Sequence, residues 1–206
     1  LNLAVRDMLE DFRDTETSEI EIHVAIITFG TEVRLHQALT SASALQWQDL
    51  SASGMTPLGT ALQMAKAMIE DKDTVPSRAY RPTVVLVSDG GPNDAWEKPL
   101  SQFIGDGRSA KCDRMAMAIG ADADEAVLGK FLEDSPHALL YAENAKQLRD
   151  CFKFITMSVT IRTRSQTPNT VPTPDAIDLR PTTIEARQHS AKSVAQPSAD
   201  QDGGYW

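Results

Sequence analysis

Cysteine is nearly absent from this 206-residue chain, which has only Cys112 and Cys151. One falls in a strand-like run and the other in a helix-like run. In a chain of this size, two free thiols packed in a core are expected ahead of a disulfide or a redox pair. Metal-ligand spacing of the zinc kind is also missing, because the four histidines are scattered. His23 lies in an apolar run and is expected to be a core residue, while His189 falls near the chain's end. No G-x-G-x-x-G is present, so a dinucleotide fold would lack its phosphate turn. There is no P-loop and no G-x-S-x-G nucleophile elbow. An Asp-x-Asp phosphatase nucleophile is not available at Asp89, which has Gly91 two residues on.

Positive charge is scarce as well, and the formal net charge is −9. Residues 162–206 carry five basic side chains (Arg162, Arg164, Arg180, Arg187, Lys192) and five acidic ones, so the whole excess sits on residues 1–161. An acidic globular part argues against duplex DNA or an anionic membrane as partner, since both require basic patches. It is compatible with a bound cation. The opening residues do not read as a secretory signal, and no apolar run is long enough to span a bilayer. A reducing cytoplasm is the expected compartment.

What is present is an α/β pattern. Hydrophobic residues make up 41% and charged residues 24%, which suits a packed core. "LNLAVRDMLEDF" places Leu1, Val5, Met8, Leu9 and Phe12 on one helical face over residues 1–13. No cap or turn precedes it, and the chain is expected to have been cut inside or just before this helix. A buried strand is expected over 22–29 and an edge strand from Val33. A helix follows, with Thr56 as its cap, Pro57 as its first residue, and Leu58, Leu62, Ala65 and Ile69 as its buried face. Val84 to Val87 form a continuous apolar run ending at turn residues, which predicts a strand buried on both faces. Further helices are expected over 95–105, 124–132 and 143–157, and strands at "CDRMAMAIG" and "HALLYA". Strands alternating with helices predict a doubly wound, mostly parallel α/β sheet with helices on both faces. Residues 161–206 carry five prolines, many Thr and Ser and few large apolar groups, and are expected to form a disordered tail. Its last two residues, Tyr205 and Trp206, could act as a short docking anchor or be a chance aromatic end.

Two loops, "SASGMTPLG" and "SDGGPND", are expected at the carboxyl edge of the sheet, where open α/β sheets bind ligands. Thr56 and Asp89 could then meet. A hydroxyl and a carboxylate are hard oxygen ligands, suited to Mg²⁺ with waters completing an octahedron. The residues alone favour Thr56 as an ordinary helix cap and Asp89 as a turn former, since such loop residues are common.

"SGMTPLGTAL" and "VVLVSDGGPND" resemble the second and third loops of a von Willebrand factor A (VWA) domain, and "EIHVAIITFG" resembles its second strand. With "CFKFITMSVT" closing the domain, the combination is similar to tellurite-resistance TerY-type bacterial VWA proteins over residues 1–160. The resemblance implies a metal-ion-dependent adhesion site for one divalent cation, Mg²⁺ or Mn²⁺. Thr56 and Asp89 match the family's ligands from the second and third loops. Gly54, Met55, Gly90 and Asn93 would form a partner-binding rim. In the family an Asp-x-Ser-x-Ser loop follows the first central strand and precedes the helix that residues 1–13 resemble; none stands ahead of that helix here, so that strand is expected to be missing from the chain.

By this resemblance the protein is a binding module and not an enzyme. A partner's carboxylate would complete the cation's shell, aided by the positive end of the helix at Pro57. The implied setting is a stress-response or phospho-signalling system, with kinase or phosphatase partners. Two other readings stand beside it. One is a Mg-dependent phosphoesterase-like hydrolase using Asp89, and the other is a metal-free interaction domain.

Overall fold

The structure, a computed structural model, describes residues 1–51 and 54–165. Helix α1 (Asn2–Thr15) leads into strands β1 (His23–Phe29) and β2 (Val33–Ser41). Then follow α2 (Leu58–Glu70), β3 (Thr83–Ser88), α3 (Glu97–Gly105), a 3-10 turn (Ser109–Lys111) and β4 (Asp113–Ile119). The order closes with α4 (Glu125–Phe131), β5 (Leu140–Ala142) and α5 (Ala145–Arg164). Strands β3, β4 and β5 form a parallel sheet in that order, and β1 pairs with β2 antiparallel. Among the described residues no helix is long and apolar enough to cross a membrane.

The alternation of side chains along a strand explains why helices cover both faces. In β4, Met115 and Met117 enter a core with α1 and α5, through Val5, Leu9, Phe152 and Ile155. Ala116 and Ala118 enter the opposite core with α2, α3 and α4, through Leu62, Phe103, Leu128 and Phe131. Strand β3 divides likewise, Val85 and Val87 to the first core and Val84 and Leu86 to the second. The middle of a strand covered twice is apolar on both faces, which is why "MAMA" shows no alternation. The two thiols belong to opposite cores and are both free. Burial pushes each of them up to about 11, so both are inert at neutral pH.

Strands β1 and β3 are less buried than their sequences predict. Every residue of β1 after His23, and four of the six in β3, are only half-buried. The cause is topological. Among the described residues β1 pairs only with β2, and β3 only with β4, so each keeps one unpaired edge. Val24 and Ile26 of β1 nevertheless reach the same core as Val85 and Val87. The hairpin is tied to the body by Glu16, whose carboxylate accepts from the amides of Ile22 (2.9 Å), Ala42 (3.1 Å) and Ser43 (3.1 Å).

Two further expectations are corrected here. His23 is not a core residue: its side chain is 45% exposed, with Nε2 3.0 Å from Glu21 Oε2. Ile22 and Val24 face the core, and strand alternation puts His23 on the other side. The last helix also runs to Arg164, so residues 161–164 are helical and are not the start of the tail. Arg162 is buried at the amino end of the sheet. Its Nη1 donates to Asp113 Oδ2 (2.9 Å) and Thr83 Oγ1 (2.5 Å), and its Nη2 donates to the Arg81 carbonyl (3.1 Å). His137 Nε2 lies 2.8 Å from the other Asp113 oxygen. Burial alone would raise the Asp113 pKa, but the His137 hydrogen bond and the charges of His137 and Arg162 hold it below the usual carboxylate range. The rest of the tail, with His189, Tyr205 and Trp206, lies outside the described residues.

Candidate functional site at the carboxyl ends of the strands

Strand β3 ends at Ser88, and the chain turns through Asp89, Gly90 and Gly91. The Ser88 hydroxyl donates to the Gly90 carbonyl (3.0 Å), closing the turn so that Asp89 projects outward and is exposed. The loop before α2 arrives at the same place. Thr56 N–H donates to Asn93 Oδ1 (3.1 Å), and Asn93 N–H donates to the Thr56 carbonyl (3.1 Å). A methyl placed on Gly90 would lie 3.5 Å from Thr56 Oγ1. Thr56, Gly90 and Asn93 are thus brought together beside Asp89.

Among the described residues neither Thr56 Oγ1 nor the Asp89 carboxylate has a hydrogen-bond partner. That leaves two hard oxygen donors free at one edge. Among the described residues no group of three or more His, Cys, Asp or Glu side chains is arranged to hold a metal. The donor chemistry therefore fits one side of a hydrated Mg²⁺ or Mn²⁺ ion, with water supplying the rest of its shell.

The remaining rim residues separate. Gly54 has φ +81°, and a Cβ there would lie 2.6 Å from Thr31 Oγ1, so it packs against the β1–β2 turn. The left-handed conformation and the close approach both require glycine. Met55 points to solvent and is 62% exposed.

Thr56 is not the cap of α2. The helix starts at Leu58, Pro57 occupies the cap position, and it makes no side-chain cap bond to the first turn. Instead Asp94, from the β3–α3 loop, supplies the acceptors. Its Oδ1 takes the amide of Gly59 (2.9 Å), and its Oδ2 takes the amide (2.9 Å) and hydroxyl (3.0 Å) of Thr60. The approach is close: a Cβ on Gly59 would lie 2.6 Å from the Ala95 carbonyl oxygen. This cap also changes the electrostatics. The positive end of α2 is already met by a carboxylate, so it does not attract a second anion as the sequence suggests. Sequence reasoning missed Asp94 because the residues it caps are 34 and 35 positions away. Helix-start signals are sought next to the helix.

Of the histidines among the described residues only His137 is buried, and it pairs with Asp113 at the opposite end of the sheet.

The family described as the von Willebrand factor type A domain matches residues 3–154 of this chain. The chain belongs to that family. No curated protein matches it. Among solved structures, a von Willebrand factor type A protein from Catenulispora acidiphila is similar with a TM-score of 0.56 and 19% identity, over 76% of this chain and 38% of that one. Proximal thread matrix protein 1 from the mussel byssus is similar with a TM-score of 0.57 and 17% identity, over 75% of this chain and 40% of that one. A second structure of the thread protein, described as having a zinc-occupied MIDAS motif, gives a TM-score of 0.54 at 17% identity over the same shares. This chain thus spans about two fifths of the length of the structures it matches. At these identities the likeness establishes the fold. VWA domains are commonly metal-dependent interaction modules, typically with a divalent ion at a metal-ion-dependent adhesion site, rather than enzymes.

Proposed function

We propose that this VWA domain is a protein-binding module in which Thr56 and Asp89 hold one side of a Mg²⁺ or Mn²⁺ ion, and that it is not an enzyme. The observation that carries this reading is the pair of unpartnered oxygens, on two loops joined by reciprocal Thr56–Asn93 hydrogen bonds. A partner protein's carboxylate completes the shell, drawn by the cation's charge, since Asp94 already meets the end of α2. Exposed Met55, with Gly90 and Asn93, forms the rim that meets the partner.

Two protein ligands are too few for tight binding of a cation that gives up water reluctantly. We infer that one further strand, from sequence before Leu1, lies between β1 and β3, and that its loop brings the other oxygens. The single-sided pairing of both strands supports this. Such a strand has helices on both faces and is therefore apolar throughout. The proposed setting is a bacterial cytoplasmic stress-response or phospho-signalling system, with a kinase or phosphatase as partner. It rests on the TerY-type likeness of the loop motifs together with "CFKFITMSVT", and a role in tellurite resistance belongs to the same proposal.

Calorimetry with Mg²⁺ and Mn²⁺ tests the reading on the 206-residue chain and on a version extended upstream through an Asp-x-Ser-x-Ser loop. The extended version is expected to bind tighter by about two orders of magnitude, because it offers a fuller cage of hard oxygens. Equal affinities, or an upstream sequence without that loop, would sink the assignment.

A further inference from the structure

We infer that Asn93 and Asp94 are positioning residues for the cation site, fixing Thr56 opposite Asp89 without touching the ion. This rests on the proposed metal role of Thr56 and Asp89. A threonine in a loop ahead of a helix has two sources of freedom, its own backbone and the place where the helix begins. The dipeptide removes both. Asn93 clamps the Thr56 peptide through its side-chain oxygen and its own amide, at 3.1 Å each. Asp94 clamps the first turn of α2 through both carboxylate oxygens, at 2.9 Å to each of two amides. Both residues follow the Gly90–Gly91–Pro92 segment directly, so Asp89 at one end of that segment and Thr56 at the other are held by one short loop. Gly59, where a Cβ would strike the Ala95 carbonyl, lets the helix approach closely enough for the clamp to form.

The chemistry supports this division of labour. A cation ligand is effective only if it is held in place before the ion arrives. Residues that orient ligands change metal affinity by about 10–100-fold when removed. Asn93 is exposed, so its side chain costs little to solvate and is not needed for the core. Its bond to the Thr56 amide orders a loop and adds little to stability.

The test is two-dimensional NMR of the 206-residue chain, titrated with Mn²⁺ and reversed with Mg²⁺. In the unmodified chain, Mn²⁺ should selectively broaden the amides around Thr56 and Asp89, even at weak affinity. Thr56→Ala and Asp89→Ala should abolish this. Asn93→Ala and Asp94→Ala should each require about tenfold more Mn²⁺ for the same broadening. Asn93→Asp, which keeps the acceptor for the Thr56 amide, should stay close to the unmodified chain. Asp94→Ser retains one cap acceptor and serves in place of Asp94→Ala if that variant does not fold. Hydrogen exchange at Thr56 reports loss of the Asn93 clamp, and at Gly59 and Thr60 loss of the Asp94 clamp, both independently of metal.

If Asn93→Ala and Asp94→Ala lose amide protection yet keep the unmodified Mn²⁺ response, the two residues are merely structural. The positioning inference then fails while the metal reading stands. If the unmodified chain shows no selective broadening, or Thr56→Ala and Asp89→Ala leave it unchanged, the metal reading fails and takes the inference with it.

Discussion

The two ends of the parallel sheet treat charge in opposite ways. At the amino end Asp113 and Arg162 are each 5% exposed, and the Asp113 carboxylate is held by Arg162 and His137. At the carboxyl end Asp89 is exposed, and its carboxylate has no hydrogen-bond partner among the described residues. The first arrangement spends its polar groups on joining α5 to the sheet. The second leaves a carboxylate unpaired and open to solvent, as the proposed cation site requires. A buried charge must be paired, because leaving it alone costs far more than the pair contributes. An exposed carboxylate carries no such obligation. Stability should therefore be concentrated at one end of the strands, and ligand binding at the other.

The largest effect is expected from breaking the buried network. Arg162→Ala leaves the Asp113 carboxylate buried with half its compensation and removes the tie to α5. It should destabilise the fold by about 3–5 kcal/mol. Denaturant unfolding measures this, with Asp89→Ala as the contrast, expected within about 0.5 kcal/mol of the unmodified chain as for ordinary surface changes. Similar losses for the two variants would erase the difference between the ends.

A middle-sized effect sharpens the comparison. The carboxyl end has its own structural demand, but it lies in backbone packing. Gly59→Ala places a Cβ 2.6 Å from the Ala95 carbonyl, and backbone cannot move aside cheaply. Overpacking of this kind should cost about 1–3 kcal/mol, outweighing the gain of up to ~1 kcal/mol in helix propensity. A thermal melt above that of the unmodified chain would show that α2 does not approach the loop so closely.

The smallest effect is on pH dependence. The Asp113 carboxyl titrates below its ordinary value in the folded state. Its contribution is therefore fully present above the unfolded-chain pKa of about 3.9 and is lost as pH falls through the lower folded value. The urea midpoint of the unmodified chain should fall between pH 5 and acid conditions more steeply than that of Asp113→Asn. Parallel curves would mean that Asp113 is not the acid-sensitive group.

Much of the fold is legible in the sequence, wherever the physics is local. The run Val84–Val87 and the unalternating "MAMA" of β4 announce strands covered on both faces. Asp124 and Asn144 cap α4 and α5 through amides two and three residues on, within reach of a sequence reading. The spacing of Leu148, Phe152 and Ile155 marks the buried face of α5. The two loops that hold Thr56 and Asp89 are readable too, as motif and as resemblance.

What the sequence by itself determined, then, is which residues form elements, which faces they bury, and that Thr56 and Asp89 belong to loops at one edge. The tertiary structure alone decided the pairings across distance. Asp94 caps a helix 35 residues upstream, and Arg162, which the sequence assigns to a polar tail, is buried against Asp113, 49 residues away. Helix propensity, strand alternation and nearby capping act over a few residues, so a sequence window contains them. A carboxylate's choice among distant amides or guanidinium groups depends on where the packed elements bring it, and burial then makes the pairing obligatory.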